Sequence, residues 1–258
     1  MIEFIDTHSH LYDADFNTDI IEVKDRSVSN GVCKVVLPAV DKECHGNLLN
    51  LASKFPEFAY PCAGLHPTSV NSTWQQELDF VISELEAGKP YIAIGEIGMD
   101  GYWSKDFMKE QAEVFETQLR LASKMDLPVI IHSRNATEEI FDVLDNCSGL
   151  NLRGVFHAYS GSYETFKRIQ KYGDFMIGIG GVLTFKNSTL ASVVKKTGLS
   201  HIILETDAPW LSPVPYRGKR NEPAYIPLIA QKLAEICETT IENVASSTTQ
   251  NAKGLFKF

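Results

Sequence analysis

The sequence predicts an α/β fold, a closed (β/α)8 TIM barrel that occupies residues 1–258 as one domain. Short continuous apolar runs, many of them β-branched, recur along the chain, as strands buried on both faces do. Amphipathic stretches with helical spacing separate them, so the strands should be parallel and joined by right-handed crossovers. Imidazoles and carboxylates stand just after several of the runs, at the strand ends where such barrels gather functional groups. The runs number about eight, and the chain length suits one barrel. An open doubly wound sheet is the alternative, but it would not bring the ends of strands one, four, five, six and eight onto one axis.

The strand candidates begin near Ile2, Lys34, Ala59, Tyr91, Pro128, Arg153, Phe175 and Ile202. The first, Ile2 to Asp6, leads into His8-Ser9-His10, and residues i and i+2 of an extended chain share a face. The fourth, fifth, sixth and eighth end in Glu96, His132, His157 and Glu205-Thr206-Asp207. Between them, Lys109 to Met125 places Val114, Phe115, Leu119 and Leu121 among charged residues. Ala136 to Asn146, Tyr163 to Tyr172 and Tyr225 to Cys237 read as helices in the same way, and Thr240 to Phe258 reads as a closing helix. No linker, low-complexity tract or repeat interrupts the alternation.

Composition narrows the function classes. A hydrophobic fraction of 44% suits a domain with a large core. No run is long enough to span a bilayer, no basic-then-apolar leader stands at the start, and the five cysteines contain no CxxC spacing. A reduced, cytoplasmic protein without a membrane contact is therefore expected, and nothing points to an obligate protein partner. A net charge of −9 argues against broad coating of nucleic acid, yet leaves room for a local phosphate site, because a metal centre brings its own positive charge.

His8, His10, Glu96, His132, His157 and Asp207 give four imidazoles and two carboxylates. That exceeds one tetrahedral ion with an open position and suits two ions that share a bridging carboxylate. Glu96 is the natural bridge. His8, His10 and Asp207 could hold one ion, since the first and eighth strands are neighbours in a closed barrel, and His132 and His157 the other. Separately satisfied polar residues are the bland reading of any one of these side chains, and six at matching strand ends argue against it. Two-metal sites of this kind drive in-line displacement at phosphorus and other hydrolyses. The ligand set, rich in histidine, favours Zn2+, Mn2+ or another transition metal.

Seven segments resemble, in order, the motifs of the TatD family of metal-dependent deoxyribonucleases. They are Ile5-Asp6-Thr7-His8-Ser9-His10, Gly64-Leu65-His66-Pro67, Ala93-Ile94-Gly95-Glu96-Ile97-Gly98, Val129-Ile130-Ile131-His132-Ser133-Arg134, Phe156-His157-Ala158-Tyr159-Ser160-Gly161, Leu204-Glu205-Thr206-Asp207-Ala208-Pro209 and the stretch from Pro215 to Pro223. The family belongs with the amidohydrolase-like metal barrels, with a glutamate in place of a modified lysine as bridge. The resemblance implies His8 and His10 as ligands of a first ion, Glu96 as bridge, and His132 and His157 as ligands of a second. Asp207 would be the last ligand and the acceptor of the attacking water's proton, so Asp207 and Glu96 are the catalytic candidates. Glu205 would orient a histidine. Mg2+ is the ion the resemblance implies. Many members read Gly-Leu-Asp-Tyr where this chain has Gly98-Met99-Asp100-Gly101-Tyr102-Trp103, and His-Cys-Phe-Ser-Gly where it has His157-Ala158-Tyr159-Ser160-Gly161. Neither difference removes a ligand, and both bear on loop shape and substrate preference.

Candidate substrate contacts are His66, Arg134 beside His132, and Arg217 and Arg220 on the loop after the eighth strand, all suited to phosphate. Tyr102, Trp103 and Trp210 are placed to stack on bases or to pack at the rim. The expected activity is a two-metal deoxyribonuclease with DNA, a single strand or an end, as its partner; a 3′-to-5′ exonuclease on single strands is what the resemblance implies. A hydrolase of the same fold acting on an ester or amide, such as an aminoacyl group, would use the same ligands. A non-catalytic metal or nucleic-acid binding module would have been free to lose some of them.

Overall fold

Eight parallel strands make the barrel wall in the computed structural model, which describes residues 2–258. They are β1 (Phe4–Asp6), β2 (Val32–Leu37), β3 (Ala59–Pro61), β4 (Ile94–Asp100), β5 (Val129–Arg134), β6 (Leu152–Phe156), β7 (Gly173–Ile179) and β8 (Ile202–Leu204). Regular ladders run from β1 to β3 and from β4 to β8. Single bridges close the ring, Ala63 against Ile94 at one seam and Ser9 against Ala208 at the other. At the second seam Thr7 N–H donates to Leu204 O at 3.0 Å, Asp207 N–H to His8 O at 2.9 Å and His10 N–H to Ala208 O at 2.8 Å. The segments that carry His8, His10 and Asp207 are thus stitched together by main-chain bonds.

The helices are α1 (Ile20–Ser29), α2 (His45–Lys54), α3 (Trp74–Glu86), α4 (Met108–Met125), α5 (Thr137–Asn146), α6 (Tyr163–Ile169), α7 (Leu190–Thr197), α8 (Ile226–Ile236) and α9 (Ile241–Phe256). Of these, α4, α5, α6, α8 and α9 fall within a few residues of the helices the sequence predicts, and the others have no counterpart there. Two apolar clusters result. One lies between strands and helices, with Phe16, Phe115, Phe141 and Phe175 fully buried. The other fills the lumen with Ile5, Val36, Ala93, Ile130, Val155 and Ile203, and α9 adds Leu255 and Phe256 to it. A packed lumen leaves the opposite, C-terminal mouth as the place where polar groups can converge.

β4 continues four residues past Glu96, to Asp100. Gly98, at φ 135°, lies so close to His132 O that a Cβ would overlap it, so β4 can hug β5 only with glycine there. That contact carries the strand on through Ile97 and Met99, both buried.

The loop after β8 is clasped to the segment that enters α1. Arg220 donates to both oxygens of Asp19 at 2.8 and 2.7 Å and to Asp15 O at 2.6 Å, with its guanidinium 4.6 Å from the Phe16 ring centre. Arg26 joins in through Glu222 at 2.7 Å and Asp19 at 3.2 Å. Hydrogen bonds from Arg220, against a small burial penalty and with help from Arg26, hold the Asp19 carboxyl below its ordinary pKa. The clasp therefore stabilises the fold above pH 3.8, and that contribution is lost as pH falls through the depressed value. The network is partly solvated, so Arg220→Met should cost about 1 kcal/mol, a Tm decrease of about 2–4 °C at neutral pH. Thermal melts should show this deficit shrinking in acid, and the variant's KM for any substrate should stay at the wild-type value.

Candidate metal centre

Glu96 is buried at the barrel mouth, and its two oxygens face two different histidine sets. Oε2 lies 3.1 Å from His8 Nε2 and 3.8 Å from His10 Nε2. Oε1 lies 2.8 Å from His132 Nδ1, 3.3 Å from His66 Nε2 and 3.4 Å from His157 Nε2. Asp207 Oδ1 completes the first set, 3.7 Å from His8 Nε2 and 3.5 Å from His10 Nε2. The six ligand candidates therefore converge on one point from β1, β4, β5, β6 and β8. Asp207 is held at φ 58°, in the left-handed region, by its bonds to His8 O and from Trp210 N–H. Such a conformation persists only where its surroundings impose it.

Hydrogen-bond partners fix where the ring protons sit. Tyr12 O–H donates to Pro38 O at 2.6 Å, so at His10 Nδ1, 2.7 Å away, it must accept. His10 then carries its proton on Nδ1 and turns a bare Nε2 to the centre. His132 Nε2 donates to Asp100 Oδ2 at 2.9 Å, leaving Nδ1 to face Glu96 Oε1. Two lone pairs at that separation need a proton or a cation between them. His66 differs: its Nδ1 accepts from Thr68 N–H at 3.1 Å and from Thr68 Oγ1 at 2.6 Å, so Nε2 carries the proton and points inward as a donor. His157 Nδ1 lies 3.2 Å from Glu205 Oε1, which also accepts from Ala158 N–H at 2.6 Å. A Cβ at Gly178 would overlap the Glu205 carboxylate, so that glycine makes its room.

The electrostatics call for positive charge. Burial opposes protonation of His157, yet Glu96, Glu205 and Asp207 outweigh it and raise its pKa to about 10. Burial likewise opposes charge on His132, and Asp100 and Glu96 reverse the balance and raise it. Burial keeps His8 and His66 below the ordinary imidazole value. Burial would push Glu96 up, and the surrounding imidazoles hold it well below the carboxylate range. A divalent cation supplies the charge these protons otherwise provide, and its binding would release them. Three groups have donor atoms within 4.8 Å of one another: His8 with His10 and Asp207; His8 with Glu96 and His157; and His66 with Glu96 and His132. The donor set fits divalent metal. His66 stands beside it by distance, and the proton on its Nε2 makes it a donor rather than a ligand.

The cleft over the centre has a volume of about 480 Å³ and is lined by His66, Asp100, Trp103, Arg134, Asp207 and Trp210 among others. Arg134 reaches it with its guanidinium 3.7 Å from the Tyr102 ring centre, and among the described residues no carboxylate pairs with it. Arg217 and Arg220, expected from the sequence to hold phosphates, do not line the cleft. Arg217 lies over Phe185 at 4.1 Å, and Arg220 is neutralised in the α1 clasp. Sequence reading missed Tyr12 and Asp100 as supports of His10 and His132. Strand parity was the available signal, since each sits an even number of residues from a ligand.

A profile of the family described as TatD related DNase matches residues 5–257. A metal-dependent hydrolase of Bacillus subtilis, YabD, described as uncharacterized, is 37% identical over 98% of both chains. The metal-dependent hydrolase YjjV of Escherichia coli, described in the same way, is 31% identical over 98% of this chain and 97% of its own. The crystal structure of YjjV, a TatD homolog, superposes with a TM-score of 0.92 at 29% identity over 100% of this chain and 99% of that one. A TatD family hydrolase from Entamoeba histolytica, 22% identical, shares the fold with a TM-score of 0.84 over 98% of each chain.

Removing a single hydroxyl tests the proton assignment. Tyr12→Phe should fold normally and weaken metal binding by about 10–100-fold, the usual effect of losing a ligand's supporting hydrogen bond. A chelator competition followed by elemental analysis reads this directly. Unchanged affinity would mean that His10 does not depend on Tyr12 for its tautomer.

Proposed function

Since the chain belongs to the TatD family of metal-dependent hydrolases, we propose that it is a deoxyribonuclease that trims single-stranded DNA from its 3′ end with two divalent ions. The observation that carries the two-ion reading is the Glu96 carboxylate, with a separate histidine set at each oxygen. His8, His10, Asp207 and Glu96 Oε2 would hold one ion, and Glu96 Oε1, His132 and His157 the other. Bound divalent ions lower the pKa of water and offset charge building on phosphate oxygens. Mg2+ is the family's expectation, while the imidazoles suit Zn2+ or Mn2+.

The chain's own residues do the rest. Asp207 is the one carboxylate of the centre that is partly open to the cleft, with 16% of its side chain exposed. Burial pushes its pKa up, and the imidazoles of His10, His157 and His8 around it pull it below the ordinary value, so it is ionised and ready to take a proton from water. His66 Nε2–H can donate to a non-bridging phosphate oxygen, a contact that strengthens as that oxygen gains charge. Arg134, uncompensated at the rim, pairs with a neighbouring phosphate. That free cation favours a phosphodiester over the uncharged ester or amide that the same ligands could cleave.

Metal-stripped protein re-supplied with Mg2+, Mn2+ or Zn2+ should degrade end-labelled single-stranded oligonucleotides from the 3′ end and leave aryl esters largely intact. Clear esterase or amidase turnover without any nuclease activity would move the protein to the rival hydrolase class. Asp207→Asn should lower kcat by about 10²–10⁴-fold, because an amide cannot accept the proton. Elemental analysis of the same samples should give two ions per chain in the wild type and a deficit in Glu96→Gln. Arg134→Gln should flatten the salt dependence of oligonucleotide binding by about 0.7 in log affinity per log salt, the value for one phosphate of a single strand.

A further inference from the structure

Of the three tryptophans in the chain, Trp74 packs into the core at 9% exposure, while Trp103 and Trp210 are 69% and 51% exposed. Both exposed indoles line the cleft over the metal centre. Trp103 follows β4 and Trp210 follows β8, and strands four apart in an eight-strand ring lie on opposite sides of the mouth. Neither indole is on a loose loop. Asp100 Oδ1 accepts from the N–H groups of Tyr102 at 2.8 Å and Trp103 at 3.1 Å, while its other oxygen holds His132. Trp210 N–H donates to Asp207 O at 2.8 Å, Asn221 Nδ2 donates to Trp210 O at 2.6 Å, and the ring stands edge-on to His10 at 5.1 Å. Each aromatic wall is therefore positioned by residues of the centre itself. Arg134 completes the first wall, with its guanidinium 3.7 Å from the Tyr102 ring centre and 5.3 Å from that of Trp103.

We propose that Trp103 and Trp210 are stacking walls that take the nucleobases on the two sides of the cleaved phosphate of a single-stranded nucleic acid, while Arg134 contacts the backbone beside Trp103. The proposal rests on the phosphodiesterase reading above and names how that site selects its substrate. A single strand alternates anionic phosphates with flat rings, which matches a cationic centre between two aromatic faces. The bases of an intact duplex are already stacked on one another and cannot reach the indoles. Every base has a π-face, so such walls select for single-strandedness and not for sequence. With a net charge of −9 the protein has little general attraction for a polyanion, so local stacking has to supply much of the affinity.

The test pairs protein variants with substrate variants. Trp103→Leu and Trp210→Leu each should raise KM for single-stranded oligonucleotides about tenfold, with the larger share of the loss in KM and not in kcat. An oligonucleotide with an abasic residue on one side of the scissile phosphate should show the same loss with wild-type protein. It should show no further loss with the variant whose wall that base would have used. Titration with a 3′-phosphorothioate oligothymidylate, which resists cleavage, should quench the native tryptophan emission, and each substitution should remove part of the quench. If the protein cleaves no oligonucleotide but the quench and its loss in the variants persist, the walls stand and the nuclease reading falls. Cleavage with KM and quench unmoved by either substitution overturns the walls alone. Unmoved oligonucleotide binding together with a changed sedimentation coefficient in either variant also overturns them, and reassigns the face to contact between copies of the chain.

Discussion

The buried carboxylate of Glu96 is the constraint on which the rest of the structure depends. An ionised carboxylate removed from water costs several kcal/mol unless charge and hydrogen bonds replace its hydration. Here five imidazoles, on His8, His10, His66, His132 and His157, stand within 3.8 Å of it. They come from the ends of β1, β3, β5 and β6, on widely separated parts of the ring. Only a closed barrel presents those ends to a common axis. The seam between β1 and β8 then adds Asp207 through main-chain bonds that join its segment to that of His8 and His10.

A layer of supporting groups turns this convergence into chemistry by placing protons. Tyr12 and Asp100 hold the far nitrogens of His10 and His132, so bare nitrogens face inward. Thr68 does the reverse to His66 and leaves a donor facing inward. Imidazoles of one residue type are thereby divided between cation ligands and a hydrogen-bond donor for an anion. Asp100 links this layer to the rim, because the carboxylate that orients His132 also fixes the backbone of Tyr102 and Trp103.

The arginines of the C-terminal face show how partner choice decides role. Arg26 and Arg220 are spent on Asp19 and Glu222, where they tie the β8–α8 loop to α1. Arg134 lies on aromatic rings, which orient it without neutralising it. An acidic protein can in this way present a local cationic mouth without attracting polyanions over its whole surface.

The alternation of apolar runs and amphipathic segments by itself determined the barrel, and six ligand-type residues at strand ends by themselves marked its mouth. Those features are local: they depend on the two- and 3.6-residue periods of the backbone and on which residue follows a strand. Tertiary structure alone decided what each polar group touches. Arg220 and Asp19 lie 201 residues apart in the chain, so no local pattern could have shown that the arginine is used up in a clasp. The continuation of β4 to Asp100 depends on the close approach of Gly98 to β5. The proton positions on His10 and His132 depend on oxygens delivered by Tyr12 and Asp100, and that on His66 on the N–H of Thr68. Sequence periodicity reports which way a side chain points; what it meets is set by the closing of the ring.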